Sequence, residues 1–287
     1  MMRVFRSAFF WLYMALSLTA FWFAVIIPWL LITPFDRRRV FSHWYAYTWA
    51  NHYVSLSPFW NVILEGREKF RDDTAYVVVS NHQSIADIMI LFTLKKQFRW
   101  VAKHTVFFVP FLGWMMKMAD YVSIKRGDKA SREAMLDHCR RHLRIGNSIM
   151  IFPEGTRSHT GEMRPFKRGA FVLATEMNVP VLPIVLDNTY DALPRKSWVF
   201  QHSERKTFPI RVLDPIHPED HDADPKALMA AVRAVMEDGL DQLREDYPHS
   251  SFVTDRARER AMKDKANKGG GEDPGATPAG DPEPLPE

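Results

Sequence analysis

Apolar residues crowd the amino end of the chain. Between Arg6 and Asp36 there is no charged residue. A helix needs roughly 20 apolar residues to cross a bilayer core, so residues 7–35 are long enough to form a membrane helix. A secretory signal carries an apolar run of about 7–15 residues and ends in small side chains. This run is longer and closes on Ile27-Pro28-Trp29-Leu30-Leu31 with no such cleavage site, so it is expected to be retained. Residues 40–53 follow with Phe41, Trp44, Tyr45, Trp49 and Tyr53 near helical spacing. That pattern fits either a helix at the membrane–water boundary or an ordinary helix docked on a domain.

Farther on, short β-branched runs alternate with segments of helical period. Strands are predicted over residues 75–80, 99–102, 121–125, 148–152, 181–186 and 209–213. Helices are predicted over 84–96, 106–118, 128–145, 169–177 and 225–244, and Gly146 stops the third of them. Such alternation implies an α/β fold: a mainly parallel open sheet flanked by helices, preceded by an N-terminal membrane-embedded helical motif. The expected parts are a membrane helix plus interfacial helix over 1–55, an α/β domain over 56–248 and a tail over 249–287. The tail is first charged without an apolar face and then dominated by Gly and Pro, a composition that does not fold.

Charge narrows the choice of partner. The chain has a formal net charge of +4, but residues 269–287 hold five acids and no Lys or Arg, so the body is more basic than that figure. A basic body suits nucleic acid, a phosphorylated metabolite or an anionic membrane surface. Arg37, Arg38 and Arg39 outnumber Arg3 and Arg6 across the apolar run, which places the main domain on the cytoplasmic face if the segment spans once. The single cysteine, Cys139, excludes an intrachain disulfide and a Cys-based zinc site. It reads as a packing residue in a helix.

Two places can carry chemistry. His82 and Asp87 form an H-x-x-x-x-D pair where a buried strand meets a helix, at the edge where open α/β sheets keep ligands. The spacing alone is cheap, since His217 and Asp222 repeat it in a polar loop. Five residues on a regular helix leave two side chains ~140° apart, so His82 must precede the helix to touch Asp87. With Ser84 as N-cap, Asp87 leans back toward the amino end and can meet it. The same residues also read as a plain S-x-x-D capping box. Farther along, the strand 148–152 runs into Pro153-Glu154-Gly155-Thr156-Arg157-Ser158. Gly155 permits a tight turn, Arg157 offers a planar fork suited to phosphate oxygens, and Glu154 is placed to orient that Arg or to bind a hydroxyl. Lys103, Lys125 and Arg126 stand at predicted strand ends, where they would add to an anion pocket. Lys167 and Arg168 read as solvated charges. No G-x-S-x-G, Walker or G-x-G-x-x-G motif is present, and His82 has no partner at zinc-ligand spacing.

Asn81-His82-Gln83-Ser84 with Asp87, followed by Phe152-Pro153-Glu154-Gly155-Thr156-Arg157-Ser158, resemble the glycerolipid acyltransferases of the 1-acylglycerol-3-phosphate type. Two looser blocks appear in the same order: Val109-Pro110-Phe111-Leu112-Gly113 through Lys125-Arg126, and Val179-Pro180-Val181-Leu182-Pro183-Ile184. The resemblance covers roughly residues 75–190. It implies a direct acyl transfer in which His82, helped by Asp87, deprotonates an acceptor hydroxyl that attacks an acyl thioester. It further implies that Glu154, Gly155, Thr156 and Arg157 hold a glycerol phosphate, with Asn81, Ser84 and Pro153 in support, which matches the anion pocket that the strand-end cations Lys103 and Arg126 suggest. The implied donor is acyl-coenzyme A or acyl-carrier protein. The implied acceptor is a membrane lysophospholipid, with no bound cofactor, no metal and no nucleic acid. Acylation of 1-acylglycerol-3-phosphate to phosphatidate in phospholipid biosynthesis is the first expectation. Another lysophospholipid or a lyso-aminolipid is the second, and a non-enzymatic lipid-binding scaffold the third.

Overall fold

The computed structural model describes residues 2–248 except 58, 159, 191 and 193–204; the expected tail over 249–287 lies outside the described residues. Seven strands form one sheet: β1 (Trp60–Glu65), β2 (Val77–Ser80), β3 (Phe98–Lys103), β4 (Val122–Ile124), β5 (Ser148–Ile151), β6 (Val181–Leu186) and β7 (Lys206–Val212), in the order β1-β7-β6-β2-β5-β3-β4. Every neighbouring pair is parallel except β6 with β7. The expected mainly parallel α/β sheet is therefore present. Strand β1 is not among the predicted strands: it pairs with β7 at the sheet edge, and its six residues are all half-buried, so it shows neither alternation nor a fully apolar run.

Val77, Val78 and Val79 are fully buried. Val78 faces one core layer, and its two neighbours face the other. This is why β2 is uninterrupted Val, as parallel strands covered on both faces require. The first layer includes α3 (Ala86–Leu91), and the second includes α5 (Lys129–Arg144), α6 (Gly169–Met177) and α7 (Pro225–Asp246). The connection β2–α3–β3 thus runs over one face, and β5–α6–β6 over the other. Adjacent strands whose connections part in this way open a crevice at their carboxyl ends, here between β2 and β5.

Helices α1 (Met2–Ile32) and α2 (Val40–Leu56) precede the sheet. Helix α2 buries Ser42, His43, Ala46, Trp49, Ala50, Tyr53 and Val54, so it is docked by one face. Helix α1 follows it closely: the Tyr45 hydroxyl donates to the Phe21 carbonyl at 2.6 Å, and Trp22 packs on Phe111 and Trp114. The outer face of α1 exposes Phe5, Phe9, Leu12, Leu16, Phe23, Ile27, Leu30 and Leu31. An apolar strip of that length is not stable against water, and residues 4–32 are long and apolar enough for a bilayer. Helix α1 is the membrane-associating element.

Two predicted helices are corrected. The segment 106–118 is broken into a 3-10 turn, His104–Phe108, and a short α4, Leu112–Met118. Pro110 lacks a donor and forces the preceding Val109 into extended backbone (ψ 122°). The predicted helix 84–96 ends at Leu91 and continues only as a 3-10 turn to Leu94.

Candidate active site

Strand β2 delivers Asn81 and His82 at its carboxyl end. The Asn81 amide donates to the Leu186 carbonyl at 2.8 Å and accepts from the Leu186 amide at 3.0 Å. A side chain thus extends the β2–β6 ladder by one rung and fixes where His82 emerges. The imidazole lies flat on Phe152, centroids 3.9 Å apart and planes 11° apart, and Phe152 stacks in turn on Trp100.

His82 Nδ1 meets Asp87 Oδ2 at 2.7 Å. A carboxylate accepts, so Nδ1 carries the proton and Nε2 keeps its lone pair. Asp87 is fully buried, and an unpaired charge there would cost several kcal/mol. Its Oδ2 also accepts from the backbone amides of Gln83 at 2.7 Å and Ser84 at 2.9 Å, and Oδ1 accepts from the Thr189 hydroxyl. Ser84 is not the N-cap; Ile85 stands there, and the Ser84 hydroxyl accepts from the Ala86 amide at 3.4 Å. Asp87 therefore caps the turn and orients the imidazole at once. The sequence twin behaves differently: His217 and Asp222 flank a 3-10 turn whose cap makes no side-chain bond.

Strand β5 delivers the second group. Pro153 and Glu154 are buried, and Gly155 turns the chain with φ 68°. The Glu154 carboxylate accepts from the His82 amide at 2.8 Å and the Arg164 amide at 3.0 Å, while the Ser158 amide donates to the His82 carbonyl at 2.7 Å. Burial raises the Glu154 pKa, and the two amides oppose that rise. With both oxygens bound to backbone, Glu154 is a strut between the two motifs rather than a group aimed at a ligand.

Arg157 and Thr156 are half-buried. Partial burial first, and then the charge of Arg157, lower the pKa of Arg126 just past the end of β4. Neither guanidinium has a hydrogen bond or ion pair among the described residues, which leaves an uncompensated positive patch beside His82's turn. Lys103 is exposed at the end of β3, on the same edge. Lys167 is exposed, in line with its reading as a solvated charge, and its side chain lies against the turn. Its amide donates to the Pro153 carbonyl at 2.8 Å, and its Cε and Nζ stand 2.8 Å from where a Cβ on Gly155 would lie. Phe152 and Gln83 lie inside the two motifs but carry no role of their own in the sequence reading, Lys167 reads there as a solvated charge, and Thr189 leaves no signal in the sequence.

The Acyltransferase family model matches residues 61–187. The 1-acyl-sn-glycerol-3-phosphate acyltransferase of Saccharomyces cerevisiae is 31% identical over 212 residues, 71% of this chain and 67% of that protein. This chain belongs to the acyltransferase family. The chloroplastic 1-acyl-sn-glycerol-3-phosphate acyltransferase LPAT1 of Arabidopsis thaliana is 36% identical over 239 residues, 82% of this chain and 65% of that protein. The chain spans about half to two thirds of the length of such relatives. The acyltransferase fold itself is shared with the crystal structure of PlsC from Thermotoga maritima, with TM-score 0.62 and 24% identity, covering 84% of this chain and 98% of that one.

Other reactive groups lie away from the crevice between β2 and β5. Cys139 is fully buried, which pushes its thiol up to about 12, so it is inert. Asp120, His138 and His142 bring three ligand atoms within 4.8 Å of one another, at the amino end of β4 and thus opposite His82. His142 Nε2 donates to the Asp120 carbonyl at 2.9 Å while Nδ1 faces the Asn147 amide at 3.2 Å. That tautomer offers no lone pair at Nε2 for a metal, so the group is a hydrogen-bonded brace.

Proposed function

We propose that the protein transfers an acyl group from an acyl thioester to the free hydroxyl of 1-acylglycerol-3-phosphate, giving phosphatidate. The observation that carries this reading is His82, with Nδ1 committed to Asp87 and Nε2 free, joined by the Glu154 strut to a turn bearing the unpaired Arg157. His82 Nε2 takes the acceptor's hydroxyl proton as the oxygen attacks the thioester carbonyl carbon. The carbon–sulfur bond then breaks, and the leaving thiolate recovers the proton from Nε2. No enzyme nucleophile is required, in keeping with the inert Cys139. General-base help of this kind is worth roughly 10²–10⁴ in rate. Arg157 and Arg126, with Lys103 and Lys167 nearby, supply the charge to hold a phosphate. Relatives bearing the name 1-acyl-sn-glycerol-3-phosphate acyltransferase support the acceptor. The donor in this reading is acyl-coenzyme A or acyl-carrier protein. The positive residues Arg37, Arg38 and Arg39 after α1 support a catalytic domain on the cytoplasmic face of the membrane.

The test is transfer of labelled acyl groups to lysophosphatidate by the purified full chain in detergent. His82→Ala is expected to lower kcat by at least ~10²-fold with membrane attachment intact, and undiminished turnover would sink the mechanism. Arg157→Ala is expected to raise KM for phosphorylated acceptors about 10-fold or more, as loss of a charge-assisted bond implies, with the donor's KM little changed. The reverse pattern would mean that the turn holds the donor.

A further inference from the structure

Asp87 has more support than a capping carboxylate needs. All donors to Oδ2 come from its own turn: His82 Nδ1 and the amides of Gln83 and Ser84. Those three bonds fix the carboxylate within its own turn, but they do not tie that turn to the rest of the sheet. The other oxygen is held from a different part of the fold, by the hydroxyl of Thr189 just beyond β6. Thr189 is fully buried. Its amide and hydroxyl both face Gln83 Oε1 at 3.3 Å, but one hydroxyl has one proton, and the carboxylate is the stronger acceptor. Gln83 is fixed in turn, because its Nε2 donates to Asp187 Oδ1 at 2.8 Å. Asp187 is buried and paired with Arg244 of α7 at 3.3 Å, and the Arg244 guanidinium also donates to the Gly161 carbonyl at 2.9 Å. Thr189 and Arg244 both lie beyond the stretch matched by the family model.

We propose that Thr189, backed by Gln83, Asp187 and Arg244, is a positioning residue that anchors the Asp87 carboxylate, and with it the His82 turn, to the end of β6 and so aims His82 Nε2 at the acceptor hydroxyl. The proposal rests on the acyl-transfer reading for its kinetic consequence. Thr189 is held wholly by protein groups behind the base, so it acts on turnover and not on binding. Donation to an ionised carboxylate favours the ionised form. Without the hydroxyl, the undivided charge of Asp87 falls on His82, and the acid limb of the rate profile is expected to move to higher pH.

The experiment compares wild type with Thr189→Val, which keeps the shape and removes the donor, and Thr189→Ser, which restores it. In Thr189→Val, kcat is expected to fall about 10- to 100-fold, the range for one hydrogen bond to a charged group. Both KM values should stay within about two-fold, and the acid limb should move up. Thr189→Ser should recover most of kcat and the wild-type pH profile. Thr189→Cys, a weak donor of similar size, should fall between them and covers the case in which Thr189→Val does not fold. A second readout needs no turnover: ¹⁵N-histidine NMR of the detergent-solubilised protein should show His82 in one Nδ1–H tautomer in wild type and Thr189→Ser, and in a tautomer mixture in Thr189→Val. A wild-type pH profile and a single tautomer in Thr189→Val would overturn the proposal. So would a loss of kcat that Thr189→Ser does not restore. If wild type acylates no lysolipid while the tautomers behave as stated, it is the acyl-transfer reading that fails and the positioning role that stands.

Discussion

Gly155 shows how much can depend on one missing side chain. Its φ of 68° lies in the left-handed region, where any other residue costs about 1–2 kcal/mol. A methyl group there would also stand 2.8 Å from Cε and Nζ of Lys167. The lysine tip is flexible and can yield, but then its charge leaves the turn. Gly155→Ala is therefore expected to lower stability by about 1–2 kcal/mol and to raise KM for the phosphorylated acceptor more than for the donor. Denaturant titration and acceptor kinetics measure the two effects; an unchanged acceptor KM would place Lys167 outside the anion pocket. His82, Asp87 and Arg157 were legible because residue type, strand-end position and motif agreed. The work of Glu154 was not, since its partners are the backbone amides of His82 and Arg164, which no side-chain pattern displays. Thr189 was hidden for another reason. It sits in a polar triplet after β6 that looks like any strand exit, and its partner Asp87 lies in a turn far back along the chain.

Among the elements, those that bury both faces were the most legible. β2, β5 and β6 are continuous apolar runs bounded by polar turns, and the bounds of α6 and β6 match the sequence reading. The half-buried edge strand β1 and the Pro110 break before α4 needed tertiary context or a closer reading of local sterics. Helix α5 shows an element anchored by titratable groups. Its His142 is held at about 4, first by burial and then through the charges of His138 and Arg99, against the opposing pull of Asp120. The folded pKa lies below the ordinary value of 6.5, so the neutral ring's contribution is complete above that value and is lost as pH falls toward the folded one. Chemical denaturation from about pH 7 to about pH 4 is expected to show stability falling by on the order of 2 kcal/mol more in wild type than in His142→Gln, which does not titrate there. Parallel curves would show that His142 does not sense pH in this window.

At the scale of the molecule, a helix with an apolar outer face is joined to an α/β layer whose crevice opens between β2 and β5. The crevice was inferable from the alternation of strands and helices; the antiparallel return of β7 was not, because a strand's sequence does not encode its direction. What binds the two halves of the crevice is short and stiff. Glu154 holds the His82 amide, and Ser158 holds the His82 carbonyl, so the base and the cationic turn cannot drift apart. Such a frame is a gauge of length. It measures the span between an acceptor's anion and its nucleophilic oxygen, and a molecule with one more methylene in that span can satisfy either end but not both. Such an elongated acceptor is expected to keep nearly the same KM while kcat drops on the order of 10²-fold, the usual consequence of misplacement by about 1 Å.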